Sequence, residues 1–557
     1  MNSRNLSGWL GRIFRSMLPA VALATAALSP ATGWSQEENL KPHPHQFVSI
    51  ASCQRCHASQ MPPGELLEPQ DFIMLDEFHT FQKKDKHAQA YELIAKDGGL
   101  GEQMRKQLGI TDISKAHQCL SCHANWHYKE GFAAPQFMEF GVTCESCHGP
   151  GEHWEQPHTK AKEWRSKTAA DKLALGMVEV RNPVDRAKQC FSCHIGNAAE
   201  GKVVTHDMYA AGHPPLPGIE VETFAESMPS HWRNLKEKGN FLYRGEYLKA
   251  NFAKGEAVNE DLPRFKNVVF GGIIALRENV NLIATQAQTE EKSWPELAVF
   301  DCAACHHELR IPSWRQKRAN NAQFKPGRPQ STLWPSALVK LGVAASANGD
   351  MAQAKTTHDQ LSAALAEFRA ALDSKPFGDP AAMRPAADKV ISLLDTVTKA
   401  LEATKFDKGA AEKSLEVLTT LGPDESPDFH SARQMAWAYQ VIYTEMNAPY
   451  PTFADKADVE KDAETKGQSD GKSRMATAER VKQDLATLAA WRKNTWDASA
   501  ANTLNLFAPN HLEEKLLLRL PAGNEYEIGK ELPRQLEAIG NYDQYKFLKA
   551  LLALPTK

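Results

Sequence analysis

Residues 141–154 read Gly-Val-Thr-Cys-Glu-Ser-Cys-His-Gly-Pro-Gly-Glu-His-Trp. Within this stretch Cys144, Cys147 and His148 form the pattern Cys-x-x-Cys-His. The pattern recurs at Cys53/Cys56/His57, Cys119/Cys122/His123, Cys190/Cys193/His194 and Cys302/Cys305/His306, and the five copies consume all 10 cysteines of the chain. This is the attachment signature of a c-type haem. Cysteines three apart lie on one helical turn and form thioethers to both vinyl groups of one porphyrin, and the next residue presents its imidazole to the iron. The expected cofactor is therefore haem c, five groups covalently attached, with His57, His123, His148, His194 and His306 as proximal iron ligands.

Other uses of cysteine fit less well. A four-cysteine zinc site needs two pairs, so five pairs leave one over, and zinc asks for no histidine after every pair. Dithiol redox motifs usually occur once, in an alternating strand and helix unit. A disulfide framework suits a small secreted domain, whereas this chain has 557 residues.

Arg4, Arg12 and Arg15 make a basic start, an apolar core runs over 17–28, and Gly33 and Ser35 precede Gln36 at the expected cut. A signal peptide at 1–35 and export to the periplasm are expected, because the apolar core falls short of the roughly 20 residues that span a bilayer. The run Val268 to Leu276 is interrupted by Arg277 and Glu278, so no stable transmembrane segment is expected.

The charged fraction of 24% and hydrophobic fraction of 42% are those of an ordinary globular protein. Losing the three leader arginines takes the net charge from −3 to −6. Five haems with ionised propionates bring it to about −11 when oxidised, which excludes nucleic acid as an expected partner.

Sixteen histidines fall within residues 1–306 and four after it. Beyond the five motif histidines, His43, His45, His79, His87, His117, His127, His153, His158, His206, His213 and His231 are candidates for the opposite faces of the irons. From about Arg318 the pattern becomes helical: Leu361, Leu365, Phe368 and Leu372 share one face, and so do Val390, Leu394, Val397 and Leu401. Pro376, Gly378 and Pro380 lie between those helices, and further helical stretches are expected at 430–446, 478–491 and 531–554, with a charged connection at 456–472. The expected architecture is mainly α with few strands: a pentahaem cytochrome c domain at 36–317 followed by an α-helical bundle at 318–557. A protease is expected to release the latter from about residue 318 onward.

The stretch 141–154 resembles the cytochrome c-554 family of multihaem cytochromes, whose third motif carries a closely similar string followed by a histidine. Asp85-Lys86-His87-Ala88-Gln89-Ala90 and the order of the motifs at Cys119, Cys144 and Cys190 resemble the family too, over roughly Cys53 to His194. The resemblance implies a mostly helical fold with closely stacked haem pairs, electron transfer as the activity, and nitrogen metabolism as a frequent setting. It carries His87 and His153 over as distal ligands, each of a haem other than the one it follows, with His79 competing for the first role. It also implies that the haem at Cys119 and Cys122 is the best candidate for an open site, with His117 and His127 near enough in sequence to close it. His206, His213 and His231 form the pool expected to supply the remaining distal ligands, with Met208 and Met228 as alternatives and His307 as a surface or propionate contact. A fifth motif, the 107 residues between His194 and Cys302, and the added helical segment depart from the family.

Two functions of different classes follow. In the first, every iron has two protein ligands and the chain passes electrons between redox protein partners. In the second, one open iron acts on a small nitrogen species such as nitric oxide, hydroxylamine or nitrite. The chain lacks the Cys-x-x-Cys-Lys variant of pentahaem nitrite reductases.

Overall fold

The computed structural model describes residues 45–58, 75–125, 140–160, 163–164, 166–229, 231, 262–288, 294–306, 325, 327–425 and 429–447. The expected leader, the stretches at 456–472, 478–491 and 531–554, and His43, His127 and His307 lie outside these residues. The fold is mainly α-helical, as the sequence implied. Among the described residues its β features are two isolated bridges, Asn197 with Lys202 and Phe300 with Ser331.

Between residues 50 and 227 the helices are 5 to 12 residues long. Isolated helices shorter than about 12–15 residues are marginal in water, so these need help from their ends and neighbours. The ends are capped by side chains that the sequence supplies. Asn182 accepts from the Val184 and Asp185 amides with Pro183 in the first helical position, and Thr168 and Asp171 form a reciprocal capping box. Thr205 caps His206–Ala210 through the Met208 amide, and Glu220 caps Val221–Ser227 through Glu222 and Thr223. Apolar support is local, as where Leu120 and Ala124 pack on Tyr91 and Ile94.

The large apolar core lies further on. The helix Pro263–Gln288 buries Phe265, Val268, Val269, Phe270, Ile273 and Ile283 against the helices Val339–Ser346, Pro380–Glu402 and Phe429–Asn447, and Met351–Asp373 and Lys408–Glu425 pack on those to complete the same core. By length and composition alone it could cross a membrane, yet its apolar residues are spent on this core. Both expected amphipathic stripes face inward: Leu361, Phe368, Leu372, Val390, Leu394, Val397 and Leu401 are buried and Leu365 is half-buried. Gly378 makes the turn between them at φ 87°, where a Cβ would sit 3.1 Å from the Leu372 Cα. Each buried branched side chain is worth about 1.5–3 kcal/mol. The half-exposed Arg277–Asp395 pair at 2.7 Å is worth at most about 1 kcal/mol, so apolar burial, not surface charge, holds this layer.

This core crosses the boundary expected at residue 318. Pro263–Gln288 precedes that boundary but is the central helix of the bundle, and its first amides are capped from the other side: Glu445 accepts from Arg264 N–H at 3.1 Å and Phe265 N–H at 2.7 Å. A carboxylate at a helix N-terminus is favoured by the exposed amides and the helix dipole. On its opposite flank, Ile274 and Ala275 pack with Ala187, Phe191, Ile219, Val221 and Trp334, joining the helix of the fourth motif to the same body. Clean release of a C-terminal fragment is therefore not the expected result. A chain cut between residues 318 and 334 stays associated, eluting as the intact protein in native size exclusion and separating only in denaturant; separation under native conditions would overturn this.

Candidate haem sites

Four motifs lie on or close a short helix: Ile50–His57, His117–His123, Cys144–His148 and Pro183–His194, each ending on its motif histidine. The fifth occupies Cys302–Cys305 with His306 next. Across from each motif imidazole stands one other imidazole. His57 faces His158 with ring centroids 6.3 Å apart, His123 faces His213 at 6.3 Å, and His148 faces His231 at 6.4 Å. His194 faces His87 at 6.4 Å, and His306 faces His206 at 6.2 Å. Two imidazoles on opposite sides of one metal, each with a nitrogen about 2 Å from it and a ring radius of about 1 Å, have centroids about 6 Å apart. The five pairs match that spacing, so the residues fit five six-coordinate haem irons.

The rings are also oriented for it. An axial imidazole uses one nitrogen for the metal and ties the other to a carboxylate or carbonyl, which fixes ring orientation and ligand basicity. His57 Nδ1 lies 2.9 Å from the Glu77 carboxylate, and His87 Nδ1 lies 2.9 Å from Asp85, which also accepts the His87 amide. His123 Nδ1 is 3.0 Å from the Ala90 carbonyl, His213 Nδ1 is 2.7 Å from the Pro214 carbonyl, and His158 Nδ1 meets the Glu155 carbonyl. Burial pushes His148 down to about 4 and lowers His123, His158, His213 and His231 below the usual imidazole range. That favours the neutral form, the one that binds metal. His57 shifts the other way, because the hydrogen bond its Nδ1–H donates to the Glu77 carboxylate outweighs its burial.

Local structure explains why each partner arrives. His87 sits in the turn Lys86–Gln89, its carbonyl accepting from Val142 N–H at 3.0 Å. Gly141, at φ 67°, lets the two segments touch, since a Cβ there would collide with the His87 carbonyl. His206 opens the helix His206–Ala210, where Glu296 accepts its amide at 2.8 Å, and His213 follows that helix with Tyr209 ring-to-ring at 6.0 Å. His158 lies in the turn Pro157–Thr159 between the Trp154 and Trp164 rings, at 5.4 and 6.5 Å.

His87, His206, His213 and His231 from the expected set thus meet motif histidines, and His153 does not. Its side chain is 50% exposed and its ring stands 5.1 Å from His45. Hydrogen bonds from the Trp154 and Glu155 amides to Gly151, and from His158 to Trp154, wind this segment on a helix-like path. Positions five apart on such a path point about 140° away from each other, so only one of His153 and His158 can face His57. The missed signal was Trp154 at i−4, which seats the His158 ring. His79 directs Nε2 to the Ala58 carbonyl at 3.0 Å, and His117 is buried at the start of its own helix. His213 stands where the open site was expected.

The cysteine Sγ atoms stand in for the thioether sulfurs. The Cys53 and Cys144 sulfurs are neighbours, as are those of Cys122 and Cys193. Cys147 lies near Cys190 and Cys193. Beneath the first pair, the buried Glu145 carboxylate accepts from Val48, Gly151 and Ser49 amides at 2.8, 2.8 and 3.0 Å. Burial still pushes its carboxyl above the usual range, so desolvation outweighs the three donors.

The profile of the family described as cytochrome c554 and c-prime matches residues 52–149, which hold the first three motifs. Cytochrome c-554 of Nitrosomonas europaea is 25% identical over 117 residues, covering 20% of this chain and 50% of that protein. The chain thus spans about half the length of this curated relative. No solved structure matches. With the motif order, the flanking strings and the facing imidazoles in place, residues 52–149 are similar to the cytochrome c554 family.

Proposed function

We propose that this chain is a periplasmic pentahaem c-type cytochrome that relays electrons between redox protein partners, with every iron held by two imidazoles. The single observation carrying this reading is that each of the five motif histidines has one imidazole across from it at 6.2–6.4 Å. A haem iron with both axial positions filled by histidine changes oxidation state without admitting a substrate. In this reading Cys53, Cys56, Cys119, Cys122, Cys144, Cys147, Cys190, Cys193, Cys302 and Cys305 carry the haems, and His158, His213, His231, His87 and His206 complete the irons. The haem-bearing part is 36–317, and within 318–557 the described helices between 339 and 447 pack with the helix Pro263–Gln288 into one apolar core.

Thiol neighbours suggest the order of the relay. Cys53 beside Cys144, Cys147 near Cys190 and Cys193, and Cys193 beside Cys122 give the sequence first, third, fourth, second motif. His206 and His213, on one short segment with Tyr209 between them, then join the second motif to the fifth. Action on nitric oxide, hydroxylamine or nitrite would need an iron with no facing imidazole, and none of the five described pairs offers one. Intact mass of the matured protein should show five haems, and the oxidised protein should give only low-spin ferric signals. Fewer than five haems, or a high-spin centre in the untreated protein, would overturn the reading.

A further inference from the structure

His153 has no iron to serve when His158 faces His57, and it takes part in a second donor cluster. His45, Glu152 and His153 place their ligating atoms all within 4.8 Å of one another. We propose that these three residues bind one divalent transition-metal ion of the zinc class, separate from the haem irons. The inference rests on the pairing of His57 with His158 given above.

Two observations make this a built site and not a chance meeting of surface side chains. Its two strands of backbone are latched to each other: Gln46 N–H donates to a Glu152 carboxylate oxygen at 2.8 Å, and Glu152 N–H donates to the Gln46 carbonyl at 3.2 Å. The Glu145 carboxylate binds the same two segments from beneath, through Val48, Ser49 and Gly151. The His45 ring is seated as well. Gly176, at φ 96°, packs so closely that a Cβ would come within 3.0 Å of the His45 Cδ2. A side chain there would crowd the ring.

The donor set selects the ion. Two imidazoles and one carboxylate suit zinc, copper or nickel and not the oxygen-seeking calcium or magnesium. Tetrahedral zinc, with bonds of about 2.0–2.1 Å, needs donors about 3.3 Å apart. The present cluster closes to that by rotation of its most exposed side chain, His153 at 50% exposure. The Glu152 carboxylate is already oriented by the Gln46 amide, the outer-shell support that ligating carboxylates have. The exposed side leaves a fourth position for water. A bound ion would staple the segment entering the first motif helix to the segment leaving the third, whose Cys53 and Cys144 sulfurs are neighbours.

The test is calorimetric titration of zinc ions into the chelator-treated, fully haem-loaded protein, beside His45→Ala, His153→Ala and Glu152→Gln, with His358→Ala as a control on an exposed helix. The expected result is one zinc per chain in the parent and in His358→Ala, weakened about tenfold or more in each of the other three, with all haem spectra unchanged. No stoichiometric zinc, or equal affinity in His45→Ala and His153→Ala, overturns the site and leaves the haem pairing standing. A high-spin iron in His153→Ala makes His153 a haem ligand and overturns both.

Discussion

Replacing His213 by alanine turns one iron in five from low to high spin and speeds cyanide binding at that iron by about 100-fold or more, because no protein ligand has to leave first. The ring of His213 faces His123 at 6.3 Å and is held there by its own backbone: Gly212 turns the chain at φ 110°, the His213 amide donates to Met208 O at 2.9 Å, and Nδ1 meets the Pro214 carbonyl. Truncation leaves that scaffold in place and removes only the imidazole. His206, seven residues earlier, keeps its place across from His306, so the other four irons stay low spin. His213→Met gives a second, different readout: a thioether in the same position keeps the iron six-coordinate and raises its potential. Magnetic circular dichroism and stopped-flow cyanide binding make both measurements. If His213→Ala stays wholly low spin and slow, His213 is not the sixth ligand, and the relay reading loses its strongest support at the iron most open to challenge.

How much of this could be read from the sequence depends on the range of each interaction. Cys-x-x-Cys-His is a local code on one helical turn, so its five positions are visible without a fold. The stripes at Leu361 to Leu372 and Val390 to Leu401 are also local, since helical period alone puts them on one face. Distal ligation is not local. His87 meets His194 and His158 meets His57 only because the turns at Asp85, Gly141 and Gly151 bring distant segments together. A histidine surplus names the pool and leaves the pairing to the fold. The boundary expected at 318 and the packed core follow different signals. Cysteine and histidine counts follow haem attachment, whereas the helix Pro263–Gln288 is assigned by packing, through Glu445 at its first turn and Phe406 against Phe265 with ring centroids 5.1 Å apart.

His158 and His153 make the second large contrast, because they are five residues apart, share a segment and are expected to behave oppositely. His158→Ala removes the imidazole across from His57 and converts the first-motif iron to high spin. His153→Ala changes no haem signal. The asymmetry follows from what holds each ring. His158 is half-buried between Trp154 and Trp164, that partial burial lowers its proton affinity, and its Nδ1 is tied to the Glu155 carbonyl, leaving Nε2 for a metal. His153 is half exposed and stands beside Glu152 and His45. The opposite ligand should stay in place in either variant, since Glu77 holds His57 Nδ1 at 2.9 Å and strengthens it as a donor. The effect of His158→Ala should therefore be a clean loss of one axial ligand: one high-spin signal, rapid cyanide binding, and four low-spin irons untouched. Electron paramagnetic resonance of the two variants side by side decides it. A high-spin signal in His153→Ala with none in His158→Ala would reverse the assignment and move the metal cluster with it.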